Sequence, residues 1–240
     1  MSIWRYANPA EFMRITAPLV VPLWIAAAVT VGVGLAWGLS VPDDYKQKDT
    51  VQILFIHVPA AMLAINTYAI MAVASAIGLI RRHHVSFLVA KAAAPIGAAF
   101  TVIAIITGAV WGQPMWGTWW AWDARLTAVL IMLFFYLGYM ALWATIEEPE
   151  KAADLTSVLC LVGVLFAFLS RYAVRFWNTL HQDSSLSVEA GQRIADVFRT
   201  PLYVCMIGFY VLFFALLLVR ARTEIRLRRA RALRLSRQVG

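Results

Sequence analysis

The sequence predicts an all-α, polytopic integral membrane protein with six transmembrane helices and both ends in the cytoplasm. Three observations predict it. Of 240 residues, 62% are hydrophobic and only 14% are charged, against roughly 25% charged in soluble domains. The polar residues are bunched between six apolar runs, each near the roughly 20 residues a helix needs to cross the hydrocarbon. The runs are unbroken, without the ~10-residue alternating segments of a membrane β-barrel.

The first run, Pro18 to Leu39, follows Arg5 and Arg14 and carries no small-residue cleavage site, so it reads as a retained anchor. The second, Pro59 to Ile80, has room to begin as early as Val51. Pro59 lacks an amide hydrogen and marks either a kink or the first turn after a break. Ala92 to Val110, Leu126 to Ile146, Leu155 to Tyr172 and Pro201 to Val219 complete the set. Cys160 and Cys205 lie inside apolar runs, form no CxxC pair and read as small packing hydrophobes. Residues 1–219 form the transmembrane domain, with an outward tryptophan-rich loop over 111–125, and residues 220–240 form a basic cytoplasmic tail.

Charge sets the orientation, because Lys and Arg concentrate in short cytoplasmic loops. With both ends inside, the inward set is Arg5, Arg14, Arg81, Arg82, Lys91, Lys151 and the eight arginines from Arg220 to Arg237, 14 basic residues in all. The outward set holds seven: Lys46, Lys48, Arg125, Arg171, Arg175, Arg193 and Arg199. The formal charge of +8 does not indicate nucleic acid, since its dense stretch follows directly on the last apolar run. That stretch reads as a topology signal, or as a site for anionic lipid or a cytoplasmic partner. A Gly-rich phosphate loop is missing from the sequence, so ATP hydrolysis would belong to a partner.

Three loops then face outward. Ser40 to Thr50 is short, charged and ordinary, and Val174 to Thr200 is a longer polar loop containing His181. The third, Trp111 to Arg125, holds Trp111, Trp116, Trp119, Trp120 and Trp122, half of the ten tryptophans. Gly112, Pro114 and Gly117 are expected to break regular structure there. Two readings fit the tryptophans: an aromatic belt at the headgroups, or a surface for a large planar ligand, with Thr118 and the indole nitrogens orienting its polar groups. Asp123 stands where it can cap the next helix or pair with Arg125.

Four histidines occur. His83 and His84 lie beside Arg81 and Arg82 and read as solvated loop residues. His57, two residues before Pro59, and His181 fall on the same side as the tryptophans. Two neutral imidazoles can hold a porphyrin iron axially, or they are simply surface histidines. Zinc is disfavoured by the want of a third or fourth outward Cys or His. A hydrolase is disfavoured because Ser170, Ser184 and Ser185 show no nucleophile elbow.

The segment WGQPMWGTWWAWD, from Trp111 to Asp123, resembles the tryptophan-rich WWD signature of haem-handling membrane proteins in cytochrome c maturation. The chain as a whole resembles the six-helix heme exporter protein C family in length, six-run layout, outward aromatic loop and flanking histidines. Larger haem-lyase relatives share the signature but have many more spans. The resemblance implies that His57, in FIHVP, and His181, in FWNTLHQ, are the axial ligands, and that Trp111, Trp116, Trp119, Trp120, Trp122 and Asp123 form the haem platform. It implies a transient haem b ligand, a bacterial inner-membrane location and no enzymatic activity of its own. It implies as partners a membrane-anchored periplasmic haem chaperone and an ABC-type complex of an ATPase subunit, a second polytopic subunit and a small membrane subunit. The expected function is haem presentation to the chaperone. A haem-translocating permease and a scaffold without a haem site are the alternatives.

Overall fold

A computed structural model of the chain describes residues 8–180 and 194–239. The described residues form seven α-helices: α1 (Pro9–Thr16), α2 (Val20–Gly38), α3 (Leu54–Arg81), α4 (His84–Trp116), α5 (Ala124–Thr145), α6 (Pro149–Tyr172) and α7 (Asp196–Val239). A 3-10 turn over Ala17–Leu19 joins α1 to α2 at Pro18. Six stretches are long and apolar enough to cross a membrane, with α1 and α2 sharing the first.

Helix ends follow local chemistry. The Asn8 side chain accepts from the Ala10 amide at 2.9 Å, with Pro9 in the first turn where its missing N–H costs nothing. His83 Nδ1 accepts from the Ser86 amide at 3.1 Å to cap α4, and Asp123 Oδ1 accepts from the Leu126 amide at 2.8 Å to cap α5. Gly117, at φ +74°, closes α4 in the left-handed conformation that glycine adopts without a Cβ clash.

The centre is the α3–α4 pair, flanked by α5–α6 on one side and α2–α7 on the other. Small residues let the central backbones approach: Ala60 and Ala64 on α3, and Ala90, Ala93 and Ala94 on α4, are all buried. The α2–α7 crossing is also close, because a Cβ at Gly34 would press on Cys205 and one at Gly208 on the backbone of Thr30. A buried hydroxyl between helices is satisfied internally, Tyr136 Oη donating to the Ala64 carbonyl at 2.7 Å.

The bundle has two distinct ends. A basic end gathers α1, the α3–α4 and α5–α6 junctions and the last turns of α7. There Arg222 donates to the Met13 carbonyl and to Thr16 Oγ1, both at 2.7 Å, so α1 and the Arg222 turn of α7 lie on one side. An aromatic end gathers the Ser40–Ile53 segment, residues 117–123 and residues 173–180.

Several boundaries differ from those expected. The helix of the third run continues through Gly112 and Pro114 to Trp116, so Trp111 and Trp116 are helical rather than part of an outward loop, and only 117–123 is loop. Pro114 lies in the last turn of α4 and removes only the N–H that would donate to the Val110 carbonyl, while the Gly117 amide still closes on the Gln113 carbonyl. Pro59 likewise lies inside α3, which begins at Leu54. The basic residues 220–239 are helical and continue α7, which has 44 residues, about 66 Å at 1.5 Å per residue.

Candidate functional site at the aromatic end

His57 sits in the first turn of α3, on a pinned base. Val51 and Phe55 are buried with Val41, Phe198, Leu202 and Cys205 in a satellite core that fastens this end of α3 to α7. Phe55 is fully buried, its ring against Gly38. Two residues on, the direction reverses and His57 meets α4.

On α4, Thr107, Gly108 and Trp111 lie at i, i+1 and i+4, one face of a helix. His57 Nδ1 lies 3.0 Å from Thr107 Oγ1. A Cβ at Gly108 would stand 3.0 Å from His57 Cε1, so glycine is what lets the imidazole lie flush on the helix. The Trp111 ring meets the imidazole edge to face, centroids 5.6 Å apart at 76°. Trp111 is itself held, its Nε1–H donating to Gln47 Oε1 at 2.9 Å. Gln47 is placed by Asp44, whose Oδ1 accepts from the amides of Lys46 and Gln47 at 2.9 and 2.8 Å. The Ser40–Thr50 loop is therefore not ordinary, since it braces the tryptophan beside His57.

The loop 117–123 folds on itself. Thr118 Oγ1 donates to the Trp120 carbonyl at 2.8 Å and accepts from the Trp120 amide at 3.3 Å, so its hydroxyl serves the turn. Trp120 packs edge to face on Trp122, 5.6 Å between centroids. Trp119 and Trp122 turn outward, 61% and 78% exposed. The indole nitrogen of Trp120 is buried with no hydrogen-bond partner among the described residues.

Asp123 carries two bonds. Besides capping α5, its Oδ2 accepts from the Leu180 amide at 3.2 Å. That bond ties the tryptophan loop to the last described residue before His181; His181 itself lies outside the described residues. Arg125 donates through Nε to the Ser170 carbonyl at 3.0 Å, linking α5 to the end of α6. Arg171 and Arg175 both lie over the Tyr172 ring, 5.6 and 5.4 Å from its centroid, which makes the α6 rim cationic. Phe176 and Trp177, largely exposed, extend the aromatic surface beyond the segment the sequence singled out.

The donors suit a planar, iron-bearing ligand. His57 offers an imidazole, and Trp119 and Trp122 offer exposed ring faces. A crevice between Gly108, Gly112, Trp116, Trp119, Trp120 and Leu180 measures only about 10 Å³, whereas drug-sized ligands occupy pockets of about 300 Å³ or more. A porphyrin would therefore lie across the exposed rings rather than inside the crevice. Among the described residues, no three His, Cys, Asp or Glu side chains cluster as a metal site.

His83 and His84 belong to the other end. His83 caps α4 and also meets Ser86 Oγ at 2.9 Å; burial holds its pKa below the usual imidazole value, aided by neighbouring His84. His84 lies 3.7 Å from Glu150.

The family described as "Heme exporter protein C" matches residues 2–236. The heme exporter protein C of Paracoccus denitrificans is 64% identical over 237 residues, covering 97% of each chain. That of Rhodobacter capsulatus is 59% identical over 235 residues, again 97% of each. The Escherichia coli protein is 41% identical over 225 residues, 93% of this chain and 91% of its own. Matching the family over nearly its full length, the chain belongs to the heme exporter protein C family.

Proposed function

We propose that this protein holds haem b transiently against its aromatic end, facing the periplasm, and presents it to a membrane-anchored haem chaperone. Membership of the family gives the broader role, a non-catalytic haem-handling membrane subunit of cytochrome c maturation. The six apolar spans and the bacterial relatives accord with a multi-pass inner-membrane location. In this reading both chain ends are cytoplasmic, and the protein works in an ABC-type complex with an ATPase subunit, a second polytopic subunit and a small membrane subunit.

His57 and His181 would take the two axial positions of the iron. Trp119 and Trp122 would cover one face of the ring, and Trp120 would support Trp122 by its edge-to-face contact. Trp111 and Trp116 would stiffen the floor from α4. Asp123 would act at one remove, tying the loop to the segment that leads into His181. The protein's part is to position and tune, leaving the chemistry of the iron to the haem.

The observation that carries the reading is the Asp123–Leu180 bond together with the His57–Trp111 contact. They bring His57, and Leu180 as the last described residue before His181, toward the tryptophans at the end opposite the α7 arginines. Presentation is favoured over translocation by the interior between α3 and α4, which is filled by Ala60, Leu63, Ala64, Ala90, Ala93 and Ala94 and holds no charged side chain among them.

A proteoliposome experiment tests this. Haem is supplied only outside inverted or right-side-out vesicles, with the chaperone domain on the same side as residues 117–122. Presentation predicts chaperone loading whenever haem and the tryptophan loop share a side. Loading that requires haem at the side of the α7 arginines would contradict it and support translocation.

A further inference from the structure

Neutral imidazole has two tautomers, and a metal takes the nitrogen that lacks the proton. The residue that fixes the tautomer therefore decides which ring atom faces the iron. For His57, three atoms in a line settle the matter.

Thr107 Oγ1 lies 2.6 Å from the Ile103 carbonyl oxygen and 3.4 Å from that of Ala104. A carbonyl oxygen has no proton, so a contact of 2.6 Å requires the threonine hydroxyl to donate. That uses the only proton Thr107 has. The 3.0 Å contact between Thr107 Oγ1 and His57 Nδ1 must then run the other way, with Nδ1–H donating to the hydroxyl oxygen. The reverse assignment would set two lone pairs against each other at Ile103 or at His57.

We propose that Thr107 is a positioning residue for the haem site: it accepts the Nδ1 proton of His57 and so leaves Nε2 as the nitrogen that offers a lone pair to iron. The relay runs from Nδ1–H to Thr107 Oγ1 and from its hydroxyl to the Ile103 carbonyl. Each bond polarises the next, which raises the electron density on the ring. Threonine suits the task because its hydroxyl bonds to the i−4 carbonyl in the same rotamer that points its oxygen at the neighbouring helix. Gly108 clears the ring's path, and Trp111, braced by Gln47, stops it from tilting away. The iron part of this inference rests on His57 being an axial ligand; the tautomer part does not.

The test uses the full-length protein with 15N-labelled histidine in nanodiscs, stripped of haem, at about pH 8 where free imidazole is neutral. The signals that vanish in His57→Gln belong to His57. They are expected to show a protonated Nδ1 and a bare Nε2. Thr107→Val, nearly the same shape, is expected to give a mixture of tautomers, and Thr107→Ser to restore the single form. A wild-type His57 protonated on Nε2, or a Thr107→Val spectrum like wild type, overturns the assignment.

A second readout concerns the iron. In haem-loaded protein, Thr107→Val is expected to retain haem roughly 10-fold less well and to shift its reduction potential upward, because a less electron-rich imidazole supports ferric iron less. Thr107→Ser is expected to reverse both. Retention and potential unchanged in Thr107→Val overturn the positioning role even if the tautomer moves. Wild-type protein that binds haem without a histidine ligand from position 57 strikes the haem assignment alone, and the haem-free spectra still decide the tautomer.

Discussion

At the basic end of the bundle, Arg82 reaches Asp154 at 2.7 Å, Lys91 reaches Glu224 at 2.8 Å and Arg228 pairs with Glu150. At the aromatic end, Trp119, Trp122, Phe176 and Trp177 turn more than half of their surface outward. Two of the pairs at the basic end join different helices and the third ties the α3–α4 turn to α6, so that end is laced together by the protein's own side chains. The aromatic end instead spends its internal bonds on bracing: Gln47 holds Trp111, and Asp123 holds Leu180. Its ring faces are left for something else to cover. One end is built for stability, the other for contact.

That contrast can be broken by mutation, and the largest stability effect belongs to the basic end. Glu224→Gln strands Lys91, whose ammonium also lies 4.7 Å from the centre of the Trp143 ring. Removing one partner of a largely buried pair costs on the order of 2 kcal/mol. The unfolding midpoint in detergent should fall while the haem spectrum stays that of the wild type. A lost spectrum in a still-folded Glu224→Gln protein would mean the two ends are not separate.

Asp123→Ala should give the converse result. Loss of the α5 cap costs about 1 kcal/mol, and the tie to Leu180 goes with it. Haem retention should drop more than stability does. Asp123→Asn, which keeps an acceptor for the Leu126 amide, should recover most of the stability. Equal losses in both properties would reduce Asp123 to a helix cap.

The smallest effect is acid sensitivity at the basic end. Burial favours neutral His83, so its folded pKa lies below the unfolded value and the unfolded chain takes up the proton first. The stabilisation is therefore complete above the usual imidazole value and is lost as pH falls from there through the lowered folded value. Protonation also removes the lone pair that accepts from the Ser86 amide. Thermal unfolding compared between about pH 7.5 and about pH 5 should show this loss in wild type. His83→Asn, which can still cap the helix, should show less of it, and an identical acid response in both would assign the effect elsewhere.

The existence and order of the spans were legible because a 20-residue apolar run has few other uses. Their ends were not. Pro114 reads as a breaker in isolation, yet α4 runs through it and stops only at Gly117. His57, Trp119, Trp120, Trp122 and Asp123 stood out by residue type and by resemblance. Thr107, Gly108 and Gln47 did not, since α3 and α4 are apolar on every side and periodicity gives no clue to which faces meet. Only the packed register shows that Thr107 falls opposite His57. The Ser40–Thr50 loop looked featureless for the same reason: its Gln47 acquires a meaning only when Trp111 is beside it.

In the proposed function the aromatic end carries a haem held by His57 and His181. The direct measurement is the absorption and magnetic-resonance spectrum of haem bound to purified protein in four single variants: His57→Ala, His181→Ala, His83→Ala and His84→Ala. The account predicts that the first two lose the bis-histidine low-spin signature while still inserting in the membrane, and that the glycine variants at 57 and 181 regain it with free imidazole. The His83 and His84 variants should keep it, because both lie at the basic end. A normal bis-histidine spectrum in both His57→Ala and His181→Ala would contradict the account.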